Sequence, residues 1–244
     1  MGLRWIRLER VGSTNAYLSD LLRHENLEQE VVVTADYQDA GRGQGNNSWH
    51  SNSGENLLMS VLLFPVFLSA SHQFALSRAV SLALCDVLQS FRIDTRVKWP
   101  NDILAGGGKI AGILIEHAVS GRSLVRSIAG IGLNLNQAVF PEFELPATSV
   151  LLETGKTAAP QQVAWEIYEA LQQRLAQLKA GTFDALDGAY HDRLHRIRKE
   201  TEFVSENRTF RGIITGVNEY GELLVEERGV LRAYGFHQIR YARY

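Results

Sequence analysis

Residues 71–91 constrain the fold of this chain more than any other segment, because their spacing predicts a helix with apolar side chains around most of its circumference. Such a helix offers no broad polar face to water, so we expect it to lie buried against a sheet. Its apolar run is broken by polar and charged residues: Ser77, Arg78, Ser81, Asp86, Gln89 and Ser90. An uninterrupted span of bilayer length is therefore lacking, and no membrane insertion is expected.

Composition narrows the class of protein further. The chain has 244 residues, 45% of them hydrophobic, which is enough for one large domain with a small appendage. Its 25 basic and 27 acidic residues give a formal charge of -2, so no DNA partner is expected. The lone cysteine, Cys85, cannot form an intramolecular disulfide, and charged residues interrupt the N-terminal segment where a signal peptide would need an apolar run. We therefore expect a cytoplasmic protein.

Predicted strands and helices are interleaved along residues 1–198. The predicted strands span residues 3–11, 31–37, 57–64, 95–99, 109–117 and 124–135. The other predicted helices span about 16–24, 160–178 and 183–195, with Ser13, Thr14 and Asn15 as capping side chains of the first. Gly106, Gly107 and Gly108 predict a hairpin turn between strands 95–99 and 109–117. The pattern indicates an α+β fold with a mixed or antiparallel central sheet covered by helices.

The pattern of predicted secondary structure changes near Lys199. Short alternating strands with turn signals at residues 206–207, 220–221 and 228–229 predict a small barrel of about five strands over residues 199–244. We therefore predict two domains, 1–198 and 199–244.

A polar loop at residues 38–56 carries the first candidate site. Its glycines allow the backbone amides to turn inward, and Arg42 adds a fixed positive charge, so the loop could hold a phosphate. A flexible surface loop with a solvated arginine fits the same residues.

The segment Lys98-Trp-Pro-Asn-Asp102, followed by Lys109 before an apolar strand, is the second candidate. Lysines beside a strand end can neutralise a triphosphate, and the oxygens of Asn101 and Asp102 could face a magnesium ion. An ordinary turn is the alternative interpretation.

Asn134 and Asn136 close the strand that ends in Gly130-Ile-Gly-Leu-Asn-Leu-Asn136, and alternation places both on one face. Their amides could form hydrogen bonds with a polar edge of a ligand, or they could cap the turn that follows the strand.

Together and in this order the motifs resemble the bacterial biotin protein ligases of the type without an N-terminal DNA-binding domain. The resemblance rests on five motifs, namely Ser13-Thr-Asn15, the loop from Gln38 through Gly41-Arg42-Gly43 to Trp49, Lys98 to Asp102, Lys109-Ile-Ala-Gly-Ile-Leu-Ile-Glu116, and the Gly-Ile-Gly-Leu-Asn end. It covers nearly the whole chain. It implies a catalytic domain similar to class II aminoacyl-tRNA synthetases, the biotin/lipoyl ligase fold, with an SH3-like C-terminal barrel.

The activity implied by this resemblance is ATP-dependent and AMP-forming. Biotin would be activated as biotinyl-5'-AMP with Mg²⁺ and passed to a lysine of a biotin carboxyl carrier protein or domain of a carboxylase. A monomer or weak homodimer is expected.

The resemblance also assigns expected roles to residues. The expected biotin contacts are Ser13, Thr14, Asn15, Gln38, Gly41, Arg42, Lys109, Gly112, Ile113, Leu114 and Asn134. The expected ATP contacts are Arg42, Gln44, Trp49, Lys98, Asn101, Lys109 and Asn134. Arg42 and Lys109 are the expected catalytic residues, and Asp102 is the expected Mg²⁺ contact.

The glycine-rich loop departs from the family pattern. The family often has Gly-Arg-Gly-Arg-Arg-Gly-Arg, whereas Gln44, Gly45, Asn46 and Asn47 stand here in place of the later arginines. The local positive charge is lower, so Arg42 is expected to be the remaining phosphate contact and retention of the adenylate is expected to differ.

Two other functions stay open. Lipoate protein ligases and octanoyltransferases share the fold, although their glycine triplet lies in an early arginine-containing loop and Gly106 to Gly108 do not. A biotin-sensing repressor without turnover is the second, but strand signals from residue 3 leave no room for a winged helix-turn-helix in this sequence. The histidines show no zinc-ligand spacing, and P-loop and serine-hydrolase motifs are absent from the sequence.

Overall fold

A seven-stranded mixed sheet is the centre of the structure, a computed structural model that describes residues 2–45, 47–206 and 208–242. Its strands are β1 (Leu3–Val11), β2 (Glu30–Gln38), β3 (Leu57–Leu63), β4 (Thr95–Lys98), β5 (Asp102–Ala105), β6 (Gly108–Ser120) and β7 (Ser123–Leu133). They lie in the order β1-β2-β3-β7-β6-β5-β4. β1 is parallel to β2 and the other pairs are antiparallel. The predicted mixed sheet is confirmed.

Helices cover both faces of this sheet because successive strand residues point to opposite sides. The helices are α1 (Thr14–His24), α2 (Phe74–Ser90), α3 (Val150–Thr154), α4 (Pro160–Lys179) and α5 (Phe183–Arg193). Val31 and Val33 pack with Leu18 of α1, whereas Val32 belongs to the larger core that contains α2. The prediction that α2 is buried is confirmed, since most of its residues have almost no exposed surface.

Three sequence predictions need correction. The segment after Trp99 contains a further strand, β5, so the turn at Gly106 and Gly107 joins β5 to β6 and not β4 to β6. The short helix α3 was not predicted, and α2 begins at Phe74 after a 3-10 turn at Ala70–His72. Ser13 is the N-cap residue of α1, but its side chain makes no capping hydrogen bond.

A second sheet follows from Glu200. It contains β8 (Glu200–Ser205), β9 (Arg208–Val217), β10 (Leu223–Glu227), β11 (Val230–Tyr234) and β12 (Arg240–Tyr241), all antiparallel, in the order β11-β10-β9-β8-β12. The predicted five strands are therefore present, while Asn207 of the predicted turn lies outside the described residues. That residues 199–244 form a separate domain stays a prediction.

The turn between β9 and β10 fastens the second sheet to the first. The buried Arg78 guanidinium of α2 donates to the carbonyls of Val217 and Asn218, each at 2.9 Å, and pairs with Asp187 of α5 at 2.8 Å. The Trp99 indole donates to the carbonyl of Gly221 at 2.9 Å. Because Trp99 lies between Lys98 and Asp102, this attachment reaches the candidate site directly.

Two further expectations concern single features. Cys85 is buried, and burial raises the pKa of its thiol to about 11, which suits a structural role. Within the described ranges, the helices fall short of the length and apolarity that a bilayer crossing needs.

Candidate active site

A cavity of about 560 Å³ lies between the two sheets and gathers nearly all the predicted site residues. Those that line it are Ser13, Thr14, Asn15, Gln38, Arg42, Gln44, Trp49, Lys98, Asn101, Asp102, Lys109, Gly112, Ile113 and Leu114. Gly41 and Asn134 are the two predicted residues outside this lining. Residues far apart in sequence thus converge where the ends of α1, β2, β4 and β5 meet the middle of β6 and β7.

A hydrogen-bonded polar cluster joins the start of α1 to the end of β2 and the middle of β3. The backbone amide and hydroxyl of Thr14 lie 2.7 and 3.0 Å from Gln38 Oε1. The buried Ser60 hydroxyl lies 2.6 Å from both Thr14 Oγ1 and Asn15 Oδ1. These hydroxyls and amides can serve a ligand group that has both donors and acceptors. Sequence reasoning missed Ser60, although a lone serine within the apolar run Leu57–Leu63 was a signal.

Glycines form the floor of the cavity. Gly112 of β6 lies opposite Gly132 of β7, and Leu114 lies opposite Gly130, so these positions share one face of the sheet. A Cβ on Gly130 would collide with Asn15, and a Cβ on Gly132 would collide with the Trp49 indole. Only hydrogen fits at both positions. The family resemblance implied a contact at Gly112, whereas Gly130 and Gly132 stood in a candidate motif without a role of their own.

The Trp49 indole lies on this floor. A Cβ on Gly112 would stand 3.0 Å from its ring carbon Cζ3, and Lys109 Nζ lies 5.5 Å from the ring centroid. Its Nε1 is buried without a hydrogen-bond partner in the described part of the chain. The loop of residues 39–56 therefore places an aromatic side chain inside the cavity.

Ile113 contributes differently from its neighbours. Its side chain packs in the core on the opposite face of the sheet, with Ile131 as its cross-strand partner. Its backbone exchanges two hydrogen bonds of 2.9 Å with Asn101, one through the Asn101 side chain. Asn101 thereby ties the turn between β4 and β5 to β6, a role that the sequence did not suggest.

Two lysines converge on one carboxylate at the adjoining edge. Asp102 Oδ1 lies 2.6 Å from Lys109 Nζ, and Asp102 Oδ2 lies 3.1 Å from Lys98 Nζ. The three groups carry one net positive charge in a partly desolvated position, where electrostatic attraction for an anion is stronger than in open water.

Arg42 is fixed by a different acid. Its Nη2 donates to Glu116 Oε2 at 2.9 Å, and Asn15 Nδ2 donates to the same oxygen at 2.8 Å. The guanidinium is still partly exposed. Glu116 is the last residue of the motif from Lys109 to Glu116, and its contact with Arg42 could not be predicted from that motif.

The loop that carries Arg42 is also held by its own backbone. Gly43 N donates to Asn47 O at 2.7 Å, and Trp49 N donates to Gly41 O at 2.9 Å. Gly41 lies against this part of the loop, since a Cβ there would come within 2.5 Å of Trp49 O. Gln44 faces the cavity, whereas Asn46, one of the residues that replace the family's arginines, lies outside the described residues.

Asn134 binds backbone instead of facing the cavity. Its Nδ2 donates to Thr148 O at 2.9 Å and lies 3.4 Å from Lys109 O. This amide ties the segment before α3 to the start of β6 and so supports the strand that carries Lys109.

The side chains around Asp102 offer a poor site for a metal ion. In the described ranges no group of three histidine, cysteine, aspartate or glutamate side chains is placed to hold one. Both oxygens of Asp102 already accept from ammonium groups. The expected Mg²⁺ contact at Asp102 therefore does not fit this arrangement.

The second sheet supplies the opposite wall, which the sequence did not predict. Its lining residues are Phe203, Val204, Ser205, Glu206, Leu223, Phe236, His237, Gln238, Ile239, Arg240 and Tyr241. Lys98 Nζ lies 5.7 Å from the centroid of the Tyr241 ring, and the Trp99 and Phe236 rings lie 5.4 Å apart. The segment from Lys98 to Asp102 is thus enclosed by both sheets.

Known proteins are similar to this chain in sequence and in architecture. Residues 8–134 match the model of the biotin/lipoate A/B protein ligase family. The biotin--[acetyl-CoA-carboxylase] ligase of Paracoccus denitrificans is 31% identical over 227 residues, covering 89% of this chain and 92% of that protein. The bifunctional ligase/repressor BirA of Bacillus spizizenii is 30% identical over 239 residues, covering 96% and 73%. The biotin protein ligase of Aquifex aeolicus, solved in complex with biotin and ATP, superposes with a TM-score of 0.82 at 25% identity, covering 99% of both chains.

Proposed function

Because this chain belongs to the biotin/lipoate A/B protein ligase family, we propose that it is a biotin protein ligase, which activates biotin with ATP and transfers it to a lysine of a carrier protein. One observation carries the proposal. The glycine floor runs from Asn15, which lies over Gly130, to Lys109, which lies beside Gly112. The floor therefore connects a polar cluster to a cationic group.

A ligand with a small polar ring, a short apolar chain and a terminal carboxylate matches this order of features. The ureido group of biotin has donors and an acceptor that Thr14, Gln38 and their neighbours can satisfy. The ring and chain would lie over Gly112 and Leu114, and the carboxylate would approach Lys109. Ser13 and Asn15 complete the proposed ring contacts.

The proposed reaction has two steps. The biotin carboxylate oxygen attacks the α-phosphorus of ATP, and the bond to the β-phosphate oxygen breaks, so pyrophosphate leaves with the electron pair. The unprotonated amine of an acceptor lysine then attacks the acyl carbon and forms an amide bond. The bond between that carbon and the phosphate oxygen breaks, AMP leaves with its electron pair, and the proton lost by the nitrogen passes to solvent water. Lys109 and Arg42 offset the negative charge that develops on phosphorus in the first step. Removal of such a contact typically costs about a hundredfold or more in rate.

The loop of residues 39–56 has a part in both steps. Because the Trp49 indole lies on the glycine floor, a chain bound on that floor must displace it. We propose that the displaced ring stacks on adenine while the loop covers the adenylate, since water would hydrolyse the mixed anhydride. Arg42 is then the loop's phosphate contact, and Gln44 offers an uncharged one.

The acceptor proposed is the biotin carboxyl carrier domain of a carboxylase, by likeness to the Paracoccus protein named for acetyl-CoA carboxylase. Lys98 is proposed to contact ATP phosphates, and Mg²⁺ is proposed to arrive with ATP. No step is assigned to Asp102 as its ligand.

The experiment compares biotin-dependent and lipoate-dependent release of pyrophosphate from ATP and Mg²⁺, side by side on the purified chain. Release with biotin alone is expected. Release with lipoate alone would replace the proposal with a lipoate ligase, which the family model also includes. If neither acid releases pyrophosphate while calorimetry detects biotin binding, the chain is a biotin-binding protein without turnover.

A further inference from the structure

Asp102 lies between two cations that come from different strands. Lys98 ends β4 and lies directly opposite Asp102, which begins β5. Lys109 belongs to β6 and reaches the other oxygen of the same carboxylate. The side chains of Lys98 and Asp102 are only 11% and 13% exposed, so this contact is shielded from solvent.

The backbone fixes the carboxylate before any anion arrives. Asp102 pairs with Gly112 across β5 and β6, and the adjacent Asn101 exchanges two hydrogen bonds with Ile113. Asp102 therefore cannot follow its lysines freely. A fixed carboxylate between two long, flexible side chains determines where both ammonium groups lie.

The charges of the three side chains explain the effect of this arrangement. Two ammonium groups that lie close together repel each other, so without an acid between them they would turn apart. The shared carboxylate offsets this repulsion and directs both ammonium groups to one place, and the formal charges of the three side chains add up to one positive charge. Preorganised charge of this kind lowers the barrier because it needs no rearrangement during the reaction.

We propose that Asp102 is a positioning residue that holds Lys98 and Lys109 as a cationic pair for the acyl-phosphate centre, and is not a magnesium ligand. This inference rests on the proposed function, because the anion that the two lysines would contact is taken to be the reacting carboxylate and α-phosphate. Asp102 acts through the two lysines and does not itself touch the reacting atoms.

The test uses Asp102→Asn, which keeps the size of the side chain and removes its charge, and Asp102→Glu, which keeps the charge and changes the size. We expect Asp102→Asn to lower kcat for pyrophosphate release about tenfold to a hundredfold, with KM for biotin within about twofold of wild type. Asp102→Glu is expected to retain more kcat than Asp102→Asn. A role confined to filling space would give the reverse order.

A magnesium titration separates the two roles of the carboxylate. We expect the Mg²⁺ concentration at half-maximal rate to be the same in wild type and Asp102→Asn. A rise of about tenfold or more in that concentration would make Asp102 a metal ligand and overturn the proposal, as would an unchanged kcat. The control is Asp94→Asn, which removes an exposed carboxylate paired with Arg96 at the start of β4, the strand that ends in Lys98, and should leave all constants unchanged.

A double-mutant cycle with Lys109→Ala tests whether Asp102 acts through its lysines. Lys109→Ala is expected to abolish most adenylate formation, and adding Asp102→Asn is expected to cost less than Asp102→Asn costs alone. Full additivity of the two losses would contradict the proposal. If the wild-type chain releases no pyrophosphate, the proposed function fails. The role of Asp102 can then still be decided, because calorimetry can measure ATP affinity for the same variants and over the same range of Mg²⁺ concentrations.

Discussion

At the scale of single residues, the shape of the cavity depends on hydrogen atoms at β7. Gly132 allows the Trp49 indole to lie close against the sheet, and Gly130 makes room for the Asn15 amide. A methyl group at either position would fill space that the proposed biotin chain uses. The floor is therefore selective for thin, apolar chains, and a single added carbon is a severe change.

Gly132→Ala is the sharpest test of this floor. We expect the variant to bind biotin at least tenfold more weakly, since the methyl group occupies the proposed chain site on the floor. Isothermal titration with biotin measures the change. Gly188→Ala in α5 is the matched control, because a Cβ there meets nothing within 4 Å and alanine favours helices. Equal affinities of Gly132→Ala and wild type would remove the floor from the binding site.

Most residues that the sequence motifs marked as site residues line the cavity. They could be recognised because the motifs combine unusual residue types in a fixed order. Prediction from sequence missed Ser60 and Glu116, whose roles arise only when β3 and β6 come beside the start of α1. It placed Asn134 at the ligand, whereas the folded chain uses that amide to bind Thr148. Side-chain type was visible in the sequence, and the direction in which it points was not.

At the scale of elements, the attachment of the second sheet depends on α2. Arg78 lies between the rings of Phe74 and Tyr190, with its guanidinium 5.2 and 5.7 Å from their centroids. It donates to two carbonyls of the β9–β10 turn and pairs with Asp187. Burial lowers the pKa of Arg78, and the Asp187 charge opposes that shift. One buried cation therefore joins α2, α5 and the second sheet.

We expect Arg78→Met to lower the free energy of unfolding by about 3 kcal/mol, because the two carbonyls and Asp187 lose their partner in a buried position. Urea denaturation measures the loss. Arg174→Met is the control, since Arg174 joins α4 to α2 through Asp86 at 2.7 Å in a more exposed position, and it should cost about 1 kcal/mol. Equal losses in the two variants would contradict the central role of Arg78.

Helices and strands were predicted correctly where a hydrophobic pattern extends over many residues, and they were missed where the segments are short. The 17 residues of α2 and the 20 of α4 carry a clear pattern, and both were predicted. The strand β5 has only four residues, between a proline-containing turn and two glycines, so its sequence alone predicts part of a loop. Its pairing with β4 and β6 supplies the hydrogen bonds that stabilise it, and those partners are visible only in the fold.

At the scale of the whole molecule, half-buried histidines link stability to pH. Burial lowers the pKa of His195 to about 4, and the charges of Arg196 and Lys98 act in the same direction. Burial also lowers the pKa of His117 and His191. All three favour the neutral form in the folded chain, whereas an unfolded chain holds its histidines near their ordinary pKa of about 6.5. The unfolded chain therefore binds more protons as the pH falls below that value.

The sign of the effect follows from this difference. The histidine contribution to stability is fully present above about pH 6.5 and is lost as the pH falls toward 4, where His195 itself becomes protonated in the folded chain. We expect His195→Gln to reduce the loss of unfolding free energy between about pH 7 and pH 5 by about 1 kcal/mol, a figure discounted because the ring is only half-buried. Urea denaturation at both pH values measures it. His24→Gln, an exposed site on α1, should keep the wild-type slope, and the same slope in His195→Gln would assign the acid sensitivity to other groups.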